Sequence, residues 1–449
     1  MNSIGILWAQ YGPYHCARLR ALSRLTGDVT VHGLELANIS RDYQWERAGS
    51  PGQIVTLCPG QRAEEVPVRV VFQRVREKLL ELRIGVCLLP SYFPKQSLVA
   101  LLAARSLGIR TVMMNDSHAG TARARGPAAW IKRRLVRSFD AALVAGTPQR
   151  RYFTSMGVDT DRIFTGYDAV DNDYFCAKAE LIRSQKPEVS RQYRLPEHYF
   201  LSVGRFVAKK NLETLVRAYW EFLANNPTAK THLVLVGAGP EEMRMRSLCL
   251  QLHLPVYEKS SVRSPQSTVL GPQSVVYSAT ERATPGVHFY GFRQIEETPV
   301  FYALADAFVL VSLQEEWGLV VNEAMASGLP VVVSERAGCA EDLLETGWPL
   351  VGDCIASQLQ AGLERVECRL CRNGFLFDPQ SPRALASALR MLDLMPALRE
   401  AMATESRRIV EKFSCANFAV NALAAARAAM GLTHDERRYR VQEFPQGSH

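Results

Sequence analysis

The sequence predicts two doubly wound α/β domains in tandem, each a parallel sheet covered by helices on both faces. Three observations carry that expectation. The chain has 449 residues, beyond the size at which one hydrophobic core keeps growing, so two domains of about 200 residues are the default. In both halves short apolar runs alternate with helix-period segments, the pattern of buried parallel strands joined by crossover helices. Between the halves lies one polar stretch, Asp171 to Arg194, with a charged run from Lys178 to Gln192, and the inter-domain linker is expected there.

In the first half, Ile4 to Ala9 reads as a strand, Cys16 to Leu25 as a helix and Val29 to Leu34 as the second strand. Val86 to Leu89 is a strand, Gln96 to Leu107 a helix stopped by Gly108, and Arg110 to Met114 the next strand. A basic helix follows, then strand Ala141 to Val144 and a helix from Pro148 to Ser155 that ends near Gly157. The pattern restarts with strand Tyr199 to Val203, helix Asn211 to Leu223, and strand His232 to Val236, which runs into Gly237-Ala238-Gly239-Pro240. His288 to Tyr290, Ala307 to Val311 and Val331 to Ser334 are three further strands. Two stretches, Leu254 to Gly286 and Trp348 to Asn373, interrupt the second half. Connections of that length are uncommon inside compact domains and are usually functional or mobile.

The composition, 47% apolar and 22% charged, is that of an ordinary globular protein. A net charge of +8 suits an acidic partner such as a nucleotide sugar, an anionic lipid or nucleic acid. Arg123, Arg125, Lys132, Arg133, Arg134 and Arg137 lie together with no acid among them, interleaved with Trp130, Ile131, Leu135 and Val136. That segment is either an amphipathic helix resting on an anionic membrane or a solvated basic face. One short patch without a recognition module disfavours nucleic acid. No apolar run approaches the length of a membrane span and the N-terminus lacks a signal-peptide pattern, so the expected location is the cytoplasm, with peripheral contact at the inner membrane face through residues 123–137 as one of the two alternatives for that segment. Ten cysteines without a regular framework fit reduced thiols. The Cys368-Arg369-Leu370-Cys371 pair lacks the second pair of ligands that a metal site needs.

Ligands of open α/β sheets sit outside the carboxyl ends of the strands, and the polar residues of the second domain cluster there. After Val203 come Gly204-Arg205-Phe206-Val207-Ala208-Lys209-Lys210, just before a helix. Arg205 and Lys210 facing helix amides suit a diphosphate. After Val311 comes Ser312-Leu313-Gln314-Glu315-Glu316-Trp317-Gly318, then a helix from Leu319 to Ser327 closed by Gly328 and Pro330. Gly318 lets the backbone approach a ligand, so the amides of Leu319 and Val320 can donate to a phosphate. Glu323, a turn further in, is within reach of a ribose hydroxyl pair, and Glu315 of sugar hydroxyls. The plainer alternative is that Glu315 and Glu316 merely favour a helix start and Glu323 is solvated.

Glu315 and Glu323 with seven residues between them, followed by Ala324-Met325-Ala326-Ser327-Gly328-Leu329-Pro330-Val331, resemble the signature of the retaining family 4 glycosyltransferases of the GT-B fold. Val203-Gly204-Arg205 with Lys210, Val236 to Pro240, Phe289-Tyr290-Gly291-Phe292 and Asn373 to Pro379 follow the family's order. The resemblance covers nearly all of residues 198–415 outside the two interruptions. It implies two Rossmann-like domains facing each other across a cleft: residues 1–175 on the acceptor side, a linker at 176–195 and a nucleotide-sugar domain at 196–412. A helix at 413–431 would cross back to the first domain, ahead of a polar tail at 432–449. Arg205 and Lys210 would neutralise the donor diphosphate, Glu315 would hold the donor sugar and Glu323 the ribose. Gly291, Phe292 and Arg293 would contact the base, and Gly318, Leu319 and Val320 the phosphate.

The first domain matches less closely. Where the family carries a glycine-rich loop after its first strand, this chain has Gln10-Tyr11-Gly12-Pro13-Tyr14-His15, leaving Gly12 to approach the diphosphate. Tyr14 and His15 would meet an acceptor, or His15 would serve only the helix start. In Asn115-Asp116-Ser117-His118, either Asp116 or His118 takes the family's histidine position near the reactive carbon. Asp168, in Gly166 to Asp171, replaces the usual asparagine. The pairs Asp159-Thr160-Asp161 and Asp171-Asn172-Asp173 imitate a metal signature of another glycosyltransferase fold, yet lie far in sequence from the diphosphate residues. Since Arg205, Lys210 and helix amides supply positive charge, neither a catalytic metal nor another cofactor is expected. The implied activity is retaining transfer from a nucleotide-diphosphate sugar, a UDP-sugar foremost, to an acceptor sugar, glycolipid or small molecule in polysaccharide, glycolipid or glycoconjugate synthesis. The alternatives are a nucleotide-sugar epimerase or hydrolase on the same fold, a phosphorylase, for which no pyridoxal-lysine motif is seen, and a non-catalytic nucleotide-sugar-binding protein.

Overall fold

The computed structural model describes residues 3–27, 29–39, 54–92, 94–122, 126–258, 284–349 and 367–432. The chain divides into two compact units: Met1–Asp171 with Phe413–His449, and Asn172–Lys412.

The first unit runs β1 (Ser3–Trp8), α1 (Pro13–Thr26), β2 (Thr30–Glu35), β3 (Ile54–Thr56), α2 (Val68–Glu81), β4 (Val86–Leu89), α3 (Lys95–Ser106), β5 (Arg110–Asn115), α4 (Pro127–Val136), β6 (Ala141–Val144), α5 (Thr147–Ser155) and β7 (Ile163–Phe164). The strands are parallel, in the order β3-β2-β1-β4-β5-β6-β7. Side chains alternate between faces along a strand, and here both sets are apolar. Leu7, Cys87, Leu89, Met113 and Val144 enter one core with Val71, Val75 and Leu79 of α2. Ile4, Ile6, Trp8, Val112, Met114 and Leu143 enter another, with Leu19 and Leu22 of α1 and Phe418, Ala422, Leu423 and Ala426 of the C-terminal helix Cys415–Ala429.

The second unit runs α6 (Asn172–Ser184), α7 (Lys186–Tyr193), β8 (Tyr199–Val203), α8 (Leu212–Ala224), β9 (His232–Val236), α9 (Glu242–Gln251), β10 (Val256–Glu258), β11 (Val287–Phe289), α10 (Thr298–Leu304), β12 (Ala307–Leu310), α11 (Leu319–Ala326), β13 (Val331–Ser334), α12 (Ala340–Leu343), β14 (Arg369–Cys371), β15 (Gly374–Phe377), α13 (Pro382–Leu394) and α14 (Pro396–Val410). The sheet order is β10-β11-β9-β8-β12-β13-β15-β14, with only the β14–β15 hairpin antiparallel among its pairs.

The expected linker at 176–195 is corrected by α6 and α7. Phe175 and Ala179, one helical turn apart, are fully buried, and α6 packs on α10 and α11. The charged run that looked like a linker is the solvent side of these helices, and α7 buries no residue. Most of the two interruptions (259–283 and 350–366), the tail from 433 and Arg123 to Arg125 lie outside the described residues. No helix among the described residues is long and apolar enough to cross a membrane.

Each strand order reverses direction at one place: between β1 and β4 in the first unit, and between β8 and β12 in the second. Two neighbouring connections leave for opposite sides there and open a crevice at the strand carboxyl ends. The sequence-selected loops after β1, β8 and β12 flank these two places.

The second unit also buries a histidine pair on neighbouring strands. His232 Nδ1 lies 2.9 Å from His288 Nε2 and accepts from the Gly286 amide at 3.3 Å. Burial lowers the His232 pKa to about 4. Because the unfolded value is near 6.5, the unfolded chain binds more protons between these values, and this stability term is full above pH 6.5 and lost as pH falls towards 4. Acidification from pH 7 to 5 is expected to cost about 2 kcal/mol through this residue. Urea midpoints at the two pH values should show a steeper fall in the native chain than in His232→Gln; equal slopes would refute the assignment.

Candidate active site

The crevice of the second unit is built from loops stitched to one another through their backbones. After β8, the Gly204 amide donates to Val236 O at 2.9 Å and the Phe206 amide to Ala238 O at 2.9 Å. After β9, the Gly237 amide donates to Gly291 O at 2.8 Å, and Glu241 donates back to Phe206 O at 3.0 Å. Gly237 has φ 144°, and a Cβ there would lie 1.8 Å from Gly204 O, so only glycine fits. Across the switch point the Leu313 amide donates to Lys209 O at 2.9 Å. Asn211, with φ 54°, donates from Nδ2 to Val311 O at 3.2 Å and to Pro379 O at 2.8 Å.

This scaffold brings the predicted groups of the second domain together. Arg205 stands exposed at the edge, and Lys210 lies against Gly204. Lys210 Nζ forms an ion pair with Glu315, whose Oε2 also accepts from the buried Ser312 hydroxyl at 3.0 Å. Lys209 pairs with Glu316 at 2.8 Å. Burial would raise the Glu316 pKa, but the hydrogen bond and charge of Lys209 outweigh it and hold the carboxyl below its usual value. The two glutamates thus pair with the two lysines, across about a hundred residues of sequence, which spacing cannot reveal.

Gly318 is the N-cap of α11 at φ 109°, ψ 60°, in the left-handed region, and no side chain caps that helix. The first-turn amides of a helix have no intrahelical partner, so the Leu319 and Val320 amides face outward beside a glycine. Trp317, buried, donates from Nε1 to Asn322 Oδ1 at 2.9 Å and holds the turn. Glu323 is 2% exposed, which corrects the solvated alternative. In the loop after β11, Phe292 is exposed and Arg293 pairs with Glu297 at 3.4 Å.

The predicted residues of the first domain also lie at strand carboxyl ends. The Gly12 amide donates to His15 Nδ1 at 3.0 Å, so His15 caps the start of α1. His15 stacks on Trp8, and burial together with Arg18 lowers its pKa to about 3, leaving the ring neutral. Asn115, at the end of β5, is locked by donating to Ser91 Oγ at 2.6 Å and accepting from the Ser117 amide at 2.7 Å. The Asp116 carbonyl accepts from Gln149 at 3.1 Å, and His118 Nδ1 accepts from the Gly120 amide at 3.2 Å. Asp168 is buried in an ion pair with Arg18 at 3.4 Å, and Arg18 also donates to Ala169 O at 2.9 Å. A carboxylate in place of the usual amide thus has a guanidinium to answer it.

The aspartate pairs carry local structure: Asp159 accepts from the Asp161 amide at 3.2 Å, and Asp171 lies 3.7 Å from Arg20. Burial raises the thiols of Cys368 to about 12 and Cys371 to about 11, keeping both protonated. Ser312, Asn211 and Trp317 organise the site, although no role was assigned to them from sequence.

Residues 260–393 match the model of the family described as Glycosyl transferases group 1. The chain is 28% identical over 173 residues to mannosylfructose-phosphate synthase of Agrobacterium fabrum, which covers 38% of this chain and 32% of that relative. The match thus spans about a third of the relative's length. In fold it is similar to a glycosyltransferase from Rickettsia africae, with TM-score 0.65 and 13% identity over 96% of this chain and 99% of that one. An Anabaena protein solved with UDP and glucose aligns with TM-score 0.62 and 16% identity, covering 94% of this chain and 98% of that one. The two Rossmann-like units thus have the GT-B fold of these solved glycosyltransferases, and the ordered motifs with the match over residues 260–393 make the second unit similar to the glycosyl transferases group 1 family.

Proposed function

We propose that this protein is a retaining glycosyltransferase that moves a sugar from a nucleotide-diphosphate sugar, a UDP-sugar foremost, to an acceptor hydroxyl in polysaccharide, glycolipid or glycoconjugate synthesis. The observation that carries the reading is the convergence of Arg205, Lys210 and the uncapped start of α11 on one switch-point crevice, with Glu315 bound to Lys210. Two cations and outward helix amides are suited to a diphosphate leaving group. Glu323 holds the ribose, Glu315 the sugar hydroxyls, and Gly291, Phe292 and Arg293 the base; Asp116 or His118 serves the acceptor side. Gly12 contributes only through close backbone approach, since its amide is already given to His15.

In the proposed reaction the anomeric C–O bond breaks with its electron pair going to the diphosphate. The acceptor oxygen bonds to the same face, and its proton passes to the departing phosphate oxygen. No resident metal or other cofactor takes part, so turnover is expected to survive EDTA; abolition by EDTA and rescue by Mg²⁺ would overturn that part.

A screen of UDP, GDP and ADP sugars by thermal shift tests the donor, because ligand at a hundredfold its Kd stabilises the native state by about 2.7 kcal/mol. A UDP-sugar should raise the midpoint most, and no shift with any nucleotide sugar would sink the reading. Proton NMR of the product tests retention, an inverted anomer refuting it. The exposed Trp130 and Ile131 on basic α4 support peripheral contact with an anionic membrane face. Sedimentation with phosphatidylglycerol vesicles tests that contact, and a chain left wholly in the supernatant refutes it.

A further inference from the structure

The first unit carries a cation at its strand carboxyl ends that no role above uses. Lys132 lies midway along α4, and helical side chains lean towards the helix N-terminus, here the end nearer the strand carboxyl ends. Its ammonium donates to Tyr152 Oη of α5 at 2.9 Å and lies 5.2 and 5.1 Å from the ring centroids of Tyr92 and Tyr152. Tyr92 follows β4, on one side of the switch point, directly after Ser91. Ser91 is buried at φ 54° and bonded to Asn115 at the end of β5. One turn before Tyr152, the fully buried Gln149 donates to the Asp116 carbonyl. The cation, the two phenols and the Asp116 loop therefore share one edge of the sheet.

Lysines in this protein's other crevice are answered by glutamates, as Lys210 is by Glu315 and Lys209 by Glu316. Lys132 has no carboxylate partner among the described residues. Burial works against its charge, yet the hydrogen bonds it donates to the two tyrosines raise its pKa, so the ammonium stays protonated. Aromatic faces and phenol oxygens hold a cation without neutralising it. The result is a fixed, half-buried positive charge with ammonium capacity left for an incoming acceptor atom.

We propose that Lys132, framed by Tyr92 and Tyr152, is the subsite for an anionic group, a phosphate or carboxylate, carried by the acceptor. This rests on the glycosyltransferase reading above for the word acceptor, though not for the anion itself. A charge-assisted bond from a preoriented ammonium anchors one end of the acceptor while its receiving hydroxyl lies towards Asp116 and His118. Soluble sugar phosphates and lipid headgroups share this chemistry, and exposed Trp130 and Ile131 on the same helix leave a lipid source open.

The test is equilibrium binding to the full chain of glucose 6-phosphate and glucuronate against glucose, and of phosphatidylglycerol against phosphatidylcholine vesicles. The native chain, Lys132→Gln, Lys132→Arg and Arg133→Gln are compared; Arg133 is exposed on the same helix, so its variant controls for loss of one surface charge. At least one anionic probe should bind tenfold or more tightly than its neutral counterpart. Lys132→Gln should erase that preference, Lys132→Arg keep most of it, and Arg133→Gln leave it within twofold. Tyr152→Phe, which retains the ring, should weaken it severalfold and covers the case in which Lys132→Gln fails to fold. A response only to soluble probes identifies a sugar phosphate or acid, and one only to vesicles a lipid headgroup. No preference in the native chain, or equal losses in Lys132→Gln and Arg133→Gln, overturns the proposal. UDP binding, measured alongside, should be unchanged in every variant; its absence from the native chain would refute the donor reading separately.

Discussion

Lys210→Ala is expected to lower turnover at saturating donor by more than about tenfold, and by up to about a thousandfold if the ammonium meets the leaving diphosphate directly. Two effects add in that variant. The leaving group loses a charge-assisted donor, whose contribution grows as negative charge develops on the phosphate. Glu315, almost buried, also loses its ion-pair partner and keeps only the Ser312 hydroxyl among the bonds described above. The second effect disturbs the sugar end of the site, so donor affinity should weaken as well. Lys210→Arg keeps the charge but not the shape of a compact ammonium, and should recover only part of the rate. Initial rates across a donor titration separate the two effects, and turnover within twofold of the native chain would remove Lys210 from the proposed chemistry.

Gly237→Ala is expected to have the largest effect on stability. The new methyl would sit 1.8 Å from Gly204 O and 2.9 Å from Gly204 C, at a backbone φ of 144° that residues with a side chain avoid. Nothing flexible can move aside, because the obstacle is the backbone of the neighbouring loop, itself bonded to Val236 O. Overlap of this kind belongs with the rare substitutions that cost more than about 4 kcal/mol. Gly60→Ala is the comparison, since Gly60 also has positive φ, 74°, but its Cβ would meet nothing within 4 Å. That variant should lose about 1–2 kcal/mol. Calorimetric midpoints distinguish the two, and equal falls would mean the loops are not closely packed at Gly237. Any folded Gly237→Ala should also lose its thermal shift with nucleotide sugar, since the same loops carry Arg205 and Lys210.

Much of the fold was legible because a strand buried on both faces must be apolar at every position. Val86–Leu89, Ala141–Val144, Tyr199–Val203 and Val331–Ser334 have the same bounds in structure as in the sequence reading. Helices α6 and α2 depart from the sequence expectation for different reasons. Around α6 only Phe175 and Ala179 are buried, so its charged face dominated the reading. In α2 the apolar positions Val71, Val75 and Leu79 repeat every fourth residue, a helical signal present in the sequence itself. In the site, the loops, the Gly318 helix start and the family match of residues 260–393 followed from local order.

What the sequence determined by itself is therefore the set of local elements: apolar strand runs, helix starts, and the glycines and charges that follow strands at their carboxyl ends. Those signals lie within a few residues of one another, where backbone geometry is set by neighbouring side chains. What only the tertiary structure decided is which charges meet. Glu315 meets Lys210 and Glu323 is buried, while Lys132 is held by Tyr92 and Tyr152 without a carboxylate among the described residues. Such pairings join loops and helices far apart in sequence through strand order and helix packing, and no local pattern encodes them.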